Sequence, residues 1–121
     1  MSMPRMDEES KALFASVVPP DPRIATKPMF GALACFIRGN MFAGLLGRAI
    51  FVRLPEAERE QVIQAGGAMF APMPGRPTKE YVTLPEAWRS EPGKMQAWIE
   101  RSLAWAETMP EKLPAKRKSK F

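Results

Sequence analysis

Leu33-Ala34-Cys35-Phe36-Ile37-Arg38-Gly39-Asn40-Met41-Phe42-Ala43-Gly44-Leu45-Leu46-Gly47-Arg48-Ala49-Ile50-Phe51-Val52-Arg53-Leu54 reads as three short antiparallel strands joined by tight turns. Leu33 to Arg38 is strand-like in composition, and Gly39-Asn40 tolerates the positive φ angles of a two-residue hairpin turn. Met41 to Leu46 returns, Gly47-Arg48 turns again, and Ala49 to Leu54 forms the third strand. Period-two alternation puts Ile50, Val52 and Leu54 on one face and Ala49, Phe51 and Arg53 on the other. Both faces are apolar, so helices cover one and something else shields part of the second. A homodimer contact and folded-back loops are the two candidates for that cover.

N-terminal to the hairpins, Asp7, Glu8 and Glu9 place negative charge where a helix dipole favours it. Met6, Ser10, Leu13, Phe14 and Val17 follow at helical spacing, and Pro19-Pro20 ends the helix. Asp21 to Lys27, with Pro22 and then Pro28, reads as a connector. C-terminal to the hairpins, Pro55 is expected to begin a second, weakly amphipathic helix that Gly66-Gly67 closes. Met69–Ala71 and Glu80–Leu84 are two further short strands, joined by a loop whose Pro72, Pro74 and Pro77 stiffen it. Ser90 is placed as the cap of a last helix carrying the stripe Met95, Trp98, Ile99, Ser102, Leu103 and Ala106. The reading is an α+β, two-layer fold: an antiparallel sheet backed by helices in the order α-β(3)-α-β(2)-α.

The 121 residues suffice for one domain, taken as residues 1–109, followed by a basic, disordered tail over 110–121. The tail holds Lys112, Lys116, Arg117, Lys118 and Lys120 against Glu111, so it carries +4 of the chain's net +5 and leaves a nearly neutral body. Lys116, Arg117, Lys118 and Lys120 could neutralise phosphates, and a solvated solubility tail is the competing role. No apolar run reaches the roughly 20 residues of a membrane span, and the acidic N-terminus is unlike a signal peptide. A cytoplasmic protein without membrane contact is expected.

The chain has no histidine, which removes the commonest general base and metal ligand together, and one cysteine excludes a structural zinc site. Cys35, in an apolar strand, reads as a small core residue. Gly39, Gly44 and Gly47 are spaced for hairpins and not for a phosphate loop, and no serine has a histidine to activate it. No catalytic group, metal or cofactor is expected. The concentrated polar group is Arg76, Lys79, Glu80 and Tyr81, with Lys27 and Arg53 as spatial neighbours; it can grip an anion or a partner's carboxylates, or reduce to an Arg76–Glu80 surface pair. Trp88, Trp98 and Trp105 are interface anchors or core fillers, the second being commoner at helical spacing.

Three separated motifs carry a resemblance: Lys27-Pro28-Met29-Phe30-Gly31-Ala32-Leu33-Ala34, Gly39-Asn40-Met41-Phe42-Ala43-Gly44, and Phe70-Ala71-Pro72-Met73-Pro74-Gly75-Arg76-Pro77 followed by Glu80-Tyr81-Val82 and Leu84-Pro85. Together, over about residues 8 to 108, the chain resembles the TfoX N-terminal domain family. The resemblance implies a two-layer α/β domain of the same element order. It also implies kinship with bacterial regulators of natural competence, which act with the cyclic-AMP receptor protein and carry a further helical domain that this sequence does not hold. No catalytic set comes with it. What it implies is an interaction surface at Lys27, Phe30, Gly31, Arg76 and Tyr81, to which Arg53 and Lys79 are joined. The expected function is thus a non-enzymatic regulatory or adaptor domain that docks a protein partner, a transcription factor among the candidates. The alternatives are a weak, nonspecific nucleic-acid binder using the tail, and an enzyme on small anions using Arg76 and Tyr81.

Overall fold

Two turns set the register of the sheet, and one of them falls a residue earlier than its sequence suggests. The computed structural model describes residues 7–29, 32–70 and 80–111. Its elements are α1 (Glu8–Val17), β1 (Ile24–Met29), β2 (Ala32–Ile37), β3 (Asn40–Leu46), β4 (Ala49–Arg53), α2 (Glu56–Gln64), β5 (Ala68–Met69), β6 (Tyr81–Thr83), a 3-10 helix (Glu86–Ser90) and α3 (Pro92–Glu107). The β2–β3 turn is centred on Arg38 (φ 52°) and Gly39 (φ 82°), not on Gly39-Asn40; Ile37 and Asn40 are its closing pair. Two successive positive φ angles match the twist of a hairpin, and Arg38 accepts one of them although it has a Cβ. Gly47, with φ 63°, opens the β3–β4 turn as expected.

The strands form one antiparallel six-stranded sheet in the order β1-β2-β3-β4-β6-β5. The stretch read as a connector is in fact β1, paired along its length from Ile24↔Ile37 to Met29↔Ala32. Its proline argued against a strand, yet β1 is an edge strand, where alternate N–H groups point away from the sheet and Pro28 is tolerated. Two boundaries also shift. Pro55 caps α2 from outside, and Glu91, not Ser90, precedes α3; the Ser90 hydroxyl donates instead to the Ala87 carbonyl at 3.1 Å.

All the helices bury their apolar stripes on one face of the sheet. Phe14 and Val17 of α1, Val62 of α2, Trp88, and Met95, Ile99, Leu103 and Ala106 of α3 join Cys35, Ile37, Phe42, Ala43, Leu45, Ile50, Val52 and Val82 in one core. Phe42 and Ala43 are consecutive and both inward, because the β2–β3 register slips between Cys35 and Phe36. Asp7 caps α1, its Oδ1 accepting from the Ser10 N–H at 2.7 Å, and hydrogen bonding to Ser10, through its side chain first and then this N–H, holds the carboxyl below the usual range. Among the described residues, no helix is long and apolar enough to cross a membrane.

Candidate interaction surface

The sheet's second face follows from the pairing register. One row runs Lys27, Ala34, Gly44, Phe51, Thr83 and Ala68; the next contains Ala25, Phe36, Met41, Arg53 and Tyr81. Directly paired residues share a face, so all of these lie opposite the helices. Of the two covers considered for this face, a fold-back supplies part: the Phe70 ring stacks on Phe51 with centroids 4.0 Å apart and planes 16° apart. The Tyr81 ring meets Phe51 edge-on at 6.0 Å, completing an aromatic cluster over the β4–β6 half. Gly44 is the platform for it, since a Cβ there would overlap the Phe51 ring and crowd the Leu33 carbonyl. Phe36, Met41 and Leu46, towards the β1 half, are partly buried and keep some surface in solvent.

Charge frames this apolar strip. Lys27 is exposed on the edge strand with its Nζ 5.5 Å from the Phe36 ring centroid. Arg53 sits at the other side, between the Tyr81 ring (5.7 Å) and the Trp105 ring (5.9 Å). Its guanidinium reaches one carboxylate oxygen of Glu80, Oε1, from both Nε at 2.7 Å and Nη2 at 2.6 Å. Among the described residues Glu80 thus pairs with Arg53; the Arg76 that the sequence offered as its mate lies outside them. The Tyr81 hydroxyl donates to the Met41 carbonyl at 3.0 Å, and burial pushes its pKa up.

Of the residues singled out from sequence, the structure puts Lys27, Arg53 and Tyr81 on one face, with Lys27 and Tyr81 on strands separated by β2, β3 and β4. Phe30, Gly31, Arg76 and Lys79 lie outside the described residues, as do the tail residues Lys116, Arg117, Lys118 and Lys120. The tryptophans act mainly in packing. Trp88 is in the core and stacks with Trp98 at 6.3 Å, and each carries a cation: Lys94 5.4 Å from Trp88 and Arg101 4.4 Å from Trp98. Cys35 is buried, its Sγ 3.3 Å from Thr26 Oγ1, and burial raises the thiol pKa.

Sequence reading missed Ser102, which appeared only as one position in an apolar stripe. Its hydroxyl donates to the Phe42 carbonyl at 2.6 Å and accepts from the Arg53 N–H at 3.3 Å. It thus bridges β3 and β4 just beyond Ala43↔Val52, where direct pairing stops. A serine among inward-facing residues was the available signal, because a buried hydroxyl must find partners.

Among the described residues, an antiparallel sheet with its helices on one side and a cation-flanked apolar strip on the other defines a two-layer α+β scaffold. The sequence profile of the TfoX N-terminal domain matches residues 12–106, and the chain belongs to that family. Searches of the curated proteins and of the solved structures each returned no match.

Proposed function

We propose that this chain is a non-enzymatic regulatory or adaptor domain that docks a protein partner through the second face of its sheet, acting in transcriptional regulation as the competence regulators of its family do. The observation that carries the reading is the strip of Phe36, Met41 and Leu46, partly solvent-accessible between Lys27 and Arg53. Aromatic and methionine side chains with flanking cations are the composition that protein interfaces favour over ordinary surface. One face of the sheet is consumed by the core with the helices, and the strip lies on the other.

The test pairs Phe36→Asp and Met41→Glu with Ala97→Glu, an exposed control on α3. Binding of the purified domain to the cyclic-AMP receptor protein, the partner that the family supplies, is followed by sizing chromatography with light scattering. Complex formation abolished by the two sheet variants and kept by the control supports the reading. Equal complex formation by all three, or none by the wild type, counts against it. Removing residues 112–121 is expected to leave binding intact. Loss of partner binding with that truncation, together with salt-sensitive binding to duplex DNA, would favour the basic tail as the working part.

A further inference from the structure

A cavity of about 340 Å³ opens at the end of the sheet where the β3–β4 turn, the α2–β5 turn and the start of the 3-10 helix converge. This is at the lower end of the volumes of small-molecule sites. Its apolar walls include Leu46, Ile50, Leu84 and Met95, and two guanidinium groups, Arg48 and Arg89, line it as well. Local sequence makes the space. Gly66, at φ 116°, and Gly67, where a Cβ would collide with the Thr83 carbonyl oxygen and Val62, turn the chain tightly, while Ala49 and Ala68 leave room that a larger side chain would occupy.

The two arginines differ in what holds them. Arg48 pairs with Asp7 at 3.3 Å and Glu86 at 3.2 Å, both across exposed surface where such pairs contribute little. Arg89 donates to two neutral groups, the Arg48 carbonyl at 2.8 Å and the Ser10 hydroxyl at 3.0 Å. Among the described residues, no carboxylate lies within ion-pair distance of it. These neutral bonds fix the guanidinium without cancelling its charge, and Ser10 is itself fully buried. With Glu86 the sole carboxylate in the lining, the cavity walls carry a balance of +1.

From an apolar hollow bordered by an anchored, uncompensated arginine, we infer that this cavity is a binding site for a small monocarboxylate with an apolar body, such as an aromatic or short acyl acid. The body lies against Leu84 and Met95, and the carboxylate meets Arg89, with Arg48 swinging from Glu86 to join it. The site adjoins the strip read as the partner surface and shares Leu46 with it. It would give this domain a small-molecule input that partner docking does not require.

Titration of the full chain with benzoate and, separately, benzamide, followed through backbone amide NMR shifts, tests the inference. Saturable benzoate shifts at Gly66, Gly67, Thr83 and Arg89 are expected, with benzamide about tenfold weaker because it forfeits the charge-assisted bonds. Arg89→Gln and Arg48→Gln should each shrink the preference for benzoate, Arg89→Gln nearly to parity, and Ala68→Leu should abolish binding of both by filling the space. Should Arg89→Gln lose its dispersed spectrum, the other two variants decide. No saturable shift in the wild type, equal affinity for acid and amide, or a preference untouched by Arg48→Gln and binding untouched by Ala68→Leu would overturn the site.

Discussion

Arg38 holds a backbone conformation that costs an ordinary residue about 1–2 kcal/mol. Its side chain offsets part of that, since Nη1 lies 3.3 Å from the Met109 carbonyl oxygen and 3.5 Å from that of Glu107, close to the electronegative end of α3. Arg38→Val, β-branched and unable to reach α3, is expected to destabilise by about 1–2 kcal/mol in urea unfolding followed by tryptophan fluorescence. Arg38→Gly relieves the turn while losing the same bonds, so it should cost clearly less; equal losses would show that the turn conformation is irrelevant. Ser102→Ala should cost about 1–3 kcal/mol, because the Phe42 carbonyl and the Arg53 N–H lose a shared partner beside the core. Neither residue could be weighed from sequence. Arg38 looked like the end of a strand, and the role of Ser102 depends on a register slip that no local pattern encodes.

Between elements, the tightest mutual fit is Gly44 of β3 beneath Phe51 of β4 and Phe70 after β5. Gly44→Ala is expected to lose about 1–3 kcal/mol by overpacking. Adding Phe51→Leu should recover only part of it, since the Leu33 carbonyl also crowds the new methyl. Full recovery would place the conflict in the ring alone. The hairpins, the inward set Ile50, Val52 and Leu54, and the α3 stripe were legible because each rests on a local period. β1 was not, because Pro22 and Pro28 speak against a strand unless it is known to lie at an edge, and edges are set by topology. The Arg53–Glu80 pair was hidden for a related reason: only the β4–β6 register, Arg53↔Tyr81, brings those side chains together.

For the molecule as a whole, pH should act from two sides. The Asp7 carboxyl is lowered by its Ser10 bonds, and that of Asp21 is held at about 2 by hydrogen bonds from Arg23, which also reaches Glu107. Groups depressed in the folded state stabilise it above their unfolded pKa, near 3.8, and that contribution fades as pH falls through the folded values. Thermal melts should therefore decline below about pH 4, and Asp21→Asn should flatten part of the decline. Cys35 and Tyr81 act oppositely. Burial raises both, so their contribution is complete below the unfolded values of 9.0 and 10.0 and is lost as pH climbs through the folded ones. Alkaline melts should fall across that range, and less steeply in Cys35→Ala.

Arg38 and Asn40 also anchor the segment that follows α3. The Asn40 side chain donates to the Pro110 carbonyl at 3.0 Å, so residues 107–110 are tied to the β2–β3 turn. The seven residues of β3 separate this turn from the one bearing Arg48, a span of about 20 Å. Residues 107–110 are thus held at the far end of the sheet from the Arg48–Arg89 hollow. A label attached near the β3–β4 turn would therefore obstruct that hollow, whereas one at the β2–β3 turn, beside Met109 and Pro110, would leave it open.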